Sequence, residues 1–361
     1  MASPLPTSRN DQLDGLRGYA AIAVAIFHAI LGLDPTLVPR VVRANYGALS
    51  GWYEFFAKAI LDAISGETAV CIFFTLSGAV LFDSLKRDTK PLPRLMIEFV
   101  VRRILRIYPV LIVCLIISAC VLIALGAPIT LDDFFKNVAL YEFALNGVTW
   151  TLNVELVAIP FLLASFLAYR LGGERAFLVS ALVFYIALRA PWPHPITLTF
   201  KFYWIYFALG MLITTSYGGW LAERLPTWTW IPALLIGIIS KSIPQQFAIA
   251  LLVLTLYYGR GGSLECALRH PVSLFLGRIS YSFYLFNVAF LSIAGHFLSH
   301  MPFAKSHPVE VGLLASLVVI LFTLPIAYIS MRLIEIPGIR LGRYLLGKRR
   351  ISGISGVATL T

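Results

Sequence analysis

Long apolar segments separated by short polar stretches run through the whole sequence. A helix that spans a bilayer needs about 20 consecutive, mostly apolar residues. About ten segments approach this length, and they predict an all-α polytopic membrane protein. They lie at residues 16–33, 67–85, 107–125, 149–169, 175–188, 198–215, 228–241, 246–258, 274–298 and 311–334. The segments at 175–188, 228–241 and 246–258 are short, so the pattern defines the count best at the two ends of the chain.

The basic residues indicate an orientation for these segments. Most of the 29 Lys and Arg residues fall near the two ends of the chain and in the even-numbered loops. Loops rich in Lys and Arg remain in the cytoplasm. We therefore expect ten spans with both termini cytoplasmic, a transmembrane domain over residues 1–340 and a short basic cytoplasmic tail over 341–361. The stretches 34–56 and 131–143 read as interfacial helices.

Composition supports a membrane protein and excludes several other classes. The chain is 59% hydrophobic and 13% charged, whereas a soluble domain is about half apolar and a quarter charged. The net charge of +11 is explained by topology and lipid headgroups, so we expect no nucleic-acid partner. The four cysteines form no CxxC pair, and neither a disulfide framework nor a metal site is indicated.

Two ionisable residues lie in the first apolar segment, Arg17 and His28. Their spacing leaves the side chains about 20° apart around a helix and about 16 Å apart along its axis. An ionisable group halfway through a membrane usually faces a polar cavity, and a neutral imidazole is suited to take a proton from a hydroxyl. The alternative is a histidine that only hydrogen-bonds a neighbouring helix.

Three arginines, Arg102, Arg103 and Arg106, precede the third segment. Arg103 and Arg106 are neighbours on a helix because they are three residues apart. Paired guanidinium groups bind phosphates bidentately. Anchoring of the segment at a cytoplasmic interface is the alternative interpretation.

Further polar side chains interrupt other apolar segments. Glu155 is the only acid in its segment and is a candidate to orient an imidazole or to pair with an arginine. Tyr281, Tyr284 and Asn287 are spaced by three and form one polar seam on a helix. Ser77 lies beside Gly78, where small residues usually allow close helix packing. Each of these features is also explained by packing or interhelical hydrogen bonds.

Six motifs occur in order along the chain, and together they resemble the acyltransferase-3 family of bacterial membrane O-acyltransferases. Arg17 with His28 resembles the family's Arg-x10-His signature. The other five are Phe73 to Gly78 ("FFxLSG"), Arg102 to Pro109 ("RRxxRIYP"), Trp150 to Glu155 ("WSLxxE"), Gly277 to Leu285 ("GxISYSLYL") and Glu335 to Pro337 ("ExP"). The sequence departs from the family pattern in two ways. Asn287 stands where the family usually has histidine, and Thr151 and Asn153 stand at positions that are often serine.

The resemblance implies a protein of the bacterial inner membrane that transfers an acyl group, expected to be acetyl, from acyl-CoA to a hydroxyl of a sugar-containing acceptor. His28 is the implied general base or acyl carrier. The implied catalytic set is His28, Glu155 and Arg17, the donor-binding set is Arg103, Arg106 and Arg102, and the substrate cavity contains Ser77, Trp150, Asn153, Tyr281, Tyr284 and Asn287. No metal is implied. The alternative is a transporter or flippase that uses the same polar seam.

Overall fold

The computed structural model describes residues 10–190 and 195–348, and these ranges contain helices and no strand. The predicted all-α class is therefore confirmed. The helices are α1 (Asp11–Leu33), α2 (Trp52–Ala63), α3 (Gly66–Arg87), α4 (Leu92–Ala124), α5 (Leu131–Val138), α6 (Trp150–Ala187), α7 (Pro195–Ile213), α8 (Ser216–Arg224), α9 (Trp230–Ile239), α10 (Ile243–Tyr257), α11 (Gly262–Leu268), α12 (Pro271–Leu298), α13 (Pro302–Ser306), α14 (Pro308–Ser330) and α15 (Ile336–Lys348).

Each of the ten predicted segments lies on a helix, but fewer helices are long and apolar enough to cross a membrane. Within the described ranges there are six such helices, or up to eight if each of two bent helix pairs is one span. The pairs α7–α8 and α10–α11 bend by 77° and 73°. Helix α9 has only 10 residues, about half of what a span needs. The boundary predicted at residue 340 falls inside α15, and most of the predicted tail lies outside the described residues.

Helix α6 folds back on itself at two glycines. Gly172 and Gly173 have non-helical backbone angles, and Gly173 has φ of +68°, a conformation that favours glycine. The rings of Phe161 and Phe184, on either side of the break, have centroids 5.2 Å apart. The two arms of α6 are therefore antiparallel, and they correspond to the separate segments predicted at 149–169 and 175–188.

Helices α1 and α12 run parallel and approach each other through glycines. A Cβ atom at Gly277 would lie 2.2 Å from the carbonyl oxygen of Asp14, and one at Gly18 would lie 2.7 Å from the backbone nitrogen of Gly277. Small residues of this kind let helix backbones pack closely in membrane proteins. The end of the bundle where both helices begin is called here the amino-terminal face, and the other end the opposite face.

Short helices cover the opposite face. Helix α2 exposes the aromatic rings of Trp52, Phe55 and Phe56. On its buried side, Lys58 pairs with Asp62 at 3.4 Å. Helix α5 begins with a capping box, in which Thr130 and Asp133 bond each other's backbone nitrogens. Helix α5 lies within the stretch 131–143 for which we predict an interfacial helix, whereas α2 begins near the end of the stretch 34–56 and extends seven residues beyond it.

Candidate active site

A large basic cavity opens at the amino-terminal face. Its volume is about 860 Å³, within the usual range for sites that bind small molecules and cofactors. Five arginines from α1, α3, α4, α12 and the turn after α14 line it, together with three carboxylates. These residues are Arg17, Arg87, Arg106, Arg278 and Arg332, with Asp14, Asp83 and Glu335. Guanidinium groups outnumber carboxylates, so the cavity has the charge and donor geometry to hold an anionic ligand.

A central cavity of about 90 Å³ lies deeper in the bundle and shares Arg17, Arg106 and Tyr281 with the basic cavity. It gathers residues from five helices of the chain. Its polar lining is Arg17, Ser77, Arg103, Arg106, Thr151, Glu155, Ser280, Tyr281 and Tyr284. The structure thus brings together seven of the twelve site residues proposed from the sequence, among them both members of the Arg103–Arg106 pair.

The hydrogen bonds in the central cavity explain how its polar groups are held. The Ser77 hydroxyl donates to Glu155 Oε1 at 3.3 Å, although 78 residues separate them in sequence. The Tyr281 hydroxyl donates to the carbonyl of Ile107 at 2.8 Å, which ties α12 to α4. Glu155 therefore faces a serine and a cluster of arginines. Of the two partners that the sequence suggested for Glu155, the structure places arginines and not His28 beside it.

His28 lies in a third cavity, of about 290 Å³, towards the opposite face. The imidazole is exposed to this cavity, whose lining includes Val148 and Ser292. His28 Nδ1 lies 2.8 Å from the carbonyl oxygen of Val24. A carbonyl oxygen only accepts hydrogen bonds, so in the neutral ring Nδ1 carries the proton. Nε2 then keeps its lone pair and is the basic atom of the ring.

A thin partition separates the histidine cavity from the central cavity. The carbonyl of Val148, which lines the histidine cavity, accepts hydrogen bonds from Thr151 Oγ1 at 2.9 Å and from Tyr284 Oη at 3.3 Å. Thr151 and Tyr284 line the central cavity and also bond each other at 3.2 Å. The implied catalytic set of His28, Glu155 and Arg17 is thus divided between two cavities, with His28 in one and Glu155 and Arg17 in the other.

Arg102 lines none of these three cavities. Its Nη2 atom pairs with Asp88 at 3.4 Å and with Glu98 at 3.5 Å, and Lys90 pairs with the same two carboxylates. Burial alone would raise the pKa of Asp88, but hydrogen bonds from Lys90 and Arg102 outweigh it and hold the pKa below its usual value. The structure therefore places Arg102 in a surface network that joins α4 to the loop before it.

Trp150 and Asn153 also lie outside the three cavities. The Trp150 ring packs against Phe74 and Tyr203 at centroid distances of 6.2 and 5.3 Å. Asn153 Nδ2 donates to the carbonyl of Leu140 at 3.0 Å. These contacts hold the first turn of α6, from which Thr151 and Glu155 reach the central cavity.

Asn287 is fully buried and does not line the cavities described above. Its Nδ2 atom donates to the carbonyls of Phe283 and Tyr284, on its own helix, at 3.0 and 2.7 Å. Asn287 and His28 each lie ten residues beyond the glycine of the Gly18–Gly277 contact, which places them at about the same depth in parallel helices. Asn287 is therefore level with the histidine cavity, one turn beyond Tyr284.

Glu335 is a residue of the basic cavity that the proposed site residues did not include. It is buried, accepts a hydrogen bond from Ser282 at 3.1 Å and lies in a π-helical turn, Met331–Glu335. Turns of this kind are frequent at functional sites. The sequence did contain a signal for this residue, because Glu335 is the first residue of the Glu-x-Pro motif, the last of the six motifs.

Comparison with known proteins is consistent with this site. A family model described as "Acyltransferase domain" matches residues 10–332, which include every lining residue of the three cavities except Glu335, Ile336 and Ile339 of the basic cavity. No curated protein and no solved structure matches the chain. The match covers most of the sequence, and it decides between the enzyme and the transporter that the sequence left open. The chain belongs to the acyltransferase-3 family and is an acyltransferase.

Proposed function

We propose that the protein is a bacterial inner-membrane O-acyltransferase that moves an acetyl group from cytoplasmic acetyl-CoA to a hydroxyl of a sugar-containing acceptor. One observation carries the proposal: arginines line the wide end of a series of cavities, and an imidazole nitrogen with a free lone pair lies at the other end. Cations at one end can bind the phosphates of the donor, and a base at the other end can take the proton of an acceptor hydroxyl.

The donor would enter from the amino-terminal face. Arg17, Arg103 and Arg106 are the proposed contacts of the CoA phosphates, since Arg17 and Arg106 line both the basic and the central cavity. The distribution of Lys and Arg supports a cytoplasmic location of this face, because basic loops remain in the cytoplasm. Acyl-CoA would thus bind from the compartment that supplies it.

The acceptor would bind in the histidine cavity. His28 Nε2 takes the proton of the acceptor hydroxyl as its oxygen attacks the thioester carbonyl carbon. The new C–O bond forms, the C–S bond breaks, and the departing CoA sulfur takes the proton from the imidazolium. The hydrogen bond from Nδ1 to the Val24 carbonyl holds the ring in the tautomer that this step requires and stabilises the imidazolium that forms.

The test is transfer of radiolabelled acetyl from acetyl-CoA by the purified full-length protein, with a surface-glycan extract as acceptor. His28→Ala and His28→Gln should lower the rate by about 10²–10⁴-fold, the usual contribution of a general base. His296→Ala is the matched control, since His296 is an exposed histidine outside the cavities, and it should keep the wild-type rate. Transfer within a few-fold of wild type by both His28 variants would overturn the assignment.

The same assay distinguishes a base from an acyl carrier. With labelled acetyl-CoA and no acceptor, a general base leaves no label on the protein after rapid denaturation. Label that His28→Gln removes would instead show an acyl-histidine intermediate, formed by attack of the same Nε2 atom. Mass spectrometry of surface glycans from cells with and without the protein identifies the acceptor.

A further inference from the structure

Of the three cavities, the one between the two ends of the site has the smallest volume. The basic cavity holds about 860 Å³, the central cavity about 90 Å³ and the histidine cavity about 290 Å³. A donor bound through its phosphates in the basic cavity therefore reaches His28 only by passing its acyl group through the central cavity.

The partition beyond the central cavity consists of side chains held by a few hydrogen bonds. Tyr284 Oη bonds the Val148 carbonyl and Thr151 Oγ1. The Tyr284 ring packs edge-on against Phe73 with centroids 5.7 Å apart. These contacts involve only side chains and one carbonyl of a short 3-10 turn, Gly147–Thr149. Tyr284 is thus the largest side chain of the partition formed by Val148, Thr151 and Tyr284.

We propose that Tyr284 and Thr151 are specificity-determining residues that close the passage from the donor cavities to His28 and limit the acyl group to a short chain. The inference rests on the proposed function. The acyl group passes while still bonded to the CoA sulfur, so passage itself breaks no covalent bond. The C–S bond breaks only when the acceptor oxygen attacks in the histidine cavity.

The size of the central cavity supports this limit. Apolar side chains, including Phe73, Ile107 and Leu152, form much of the wall beside Thr151 and Tyr284. An acetyl group adds a single methyl to the thioester carbonyl, whereas a hexanoyl chain adds four further methylenes. Each methylene that a pocket excludes changes discrimination by about tenfold or more. The wild-type protein should therefore prefer acetyl strongly over hexanoyl.

The test compares initial rates with acetyl-, propionyl-, butyryl- and hexanoyl-CoA for the detergent-purified full-length protein. We expect Tyr284→Ala to raise the ratio of hexanoyl to acetyl transfer by about tenfold or more. Thr151→Gly, which removes a smaller group from the same partition, should raise it less. Tyr206→Phe is the control for the ratio, because Tyr206 lines none of the three cavities and its hydroxyl bonds Gln245.

The outcomes separate this inference from the proposed function. If wild-type protein transfers no acyl group from any CoA thioester, the proposed function fails. If it transfers acetyl and hexanoyl equally well, or if neither partition variant changes the ratio, the function stands and the role of the partition is refuted. If Tyr284→Ala does not yield a monodisperse protein, the ratio measured for Thr151→Gly decides alone.

Discussion

At the residue scale, three neighbouring arginines of α4 have different surroundings. Arg103 and Arg106 project into the central cavity, and Arg106 also reaches the basic cavity. Arg102 projects away and pairs with Asp88 and Glu98. Arg102 lies one turn nearer the start of α4 than Arg106, where its guanidinium reaches Asp88 of the preceding loop, whereas Arg103 and Arg106 reach the cavity.

This difference predicts that substituting Arg103 or Arg106 weakens donor binding and that substituting Arg102 does not. Arg103→Ala and Arg106→Ala should weaken acetyl-CoA binding by about 1.5–3 kcal/mol each, the usual cost of losing a hydrogen bond to a charged group. Arg102→Ala should leave donor affinity unchanged, because Arg102 and its partners Asp88 and Glu98 lie outside the three cavities. Calorimetric titration with acetyl-CoA measures all three. Equal loss of affinity in Arg102→Ala would place that side chain in the donor site after all.

Also at the residue scale, the stability that the surface network of Arg102 contributes depends on pH. The pKa of Asp88 is lowered in the folded protein by Lys90 and Arg102. A carboxyl with a lowered pKa contributes stability above its unfolded pKa of about 3.9, and this contribution is lost as the pH falls through the folded value. At neutral pH the carboxylate is charged in both states, so the network contributes in full under assay conditions.

At the element scale, the α1–α12 contact aligns the two halves of the site. Helix α1 carries Arg17 and His28, and α12 carries Tyr281 and Tyr284. The Gly18–Gly277 contact sets the axial register of these helices, because no side chain separates their backbones there. A shift of either helix would therefore displace the residues of the central and histidine cavities relative to each other.

Substituting glycines of α12 tests this role. Gly277→Ala should destabilise the fold by about 1–3 kcal/mol, because its Cβ would meet the Asp14 backbone and force the helices apart. Gly295→Ala is the matched control on the same helix, since no atom lies within 4 Å of its added Cβ. Thermal unfolding in detergent compares the two variants. Equal melting temperatures would contradict a close-packed contact at Gly277.

At the scale of the whole molecule, the two faces differ in what they present. The amino-terminal face has the wide basic cavity. The opposite face has the histidine cavity and the aromatic surface of α2. The proposed reaction needs this asymmetry, because donor and acceptor would approach from different sides of the bilayer.

An exposed native cysteine reports which side the amino-terminal face occupies. Cys266 is exposed on α11, close to where Leu268 of α11 packs against Gly15 of α1. A membrane-impermeant maleimide should label Cys266 in inverted membrane vesicles and not in intact cells. Cys266→Ser is the control, and label that remains in it belongs to Cys120, the other exposed cysteine. Labelling of Cys266 in intact cells would reverse the proposed orientation.

The sequence by itself determined the fold class, the membrane setting and the family. Within a bilayer, the backbone groups of an apolar segment can hydrogen-bond only to one another, and an α-helix satisfies all of them. The periodicity of a helix also places Arg17 on the face of His28, and Arg103 beside Arg106. These are local properties, and they depend only on residues a few turns apart in one element.

The tertiary structure decided which of these faces share a cavity. The Val148 carbonyl, Thr151 and Tyr284 come from two distant parts of the chain, and together they separate His28 from Arg17. Ser77 and Glu155 meet across α3 and α6, and Gly172 and Gly173 reverse α6. The periodicity of one helix does not encode what lies opposite it, because that depends on how the other helices cross it and where their backbones turn.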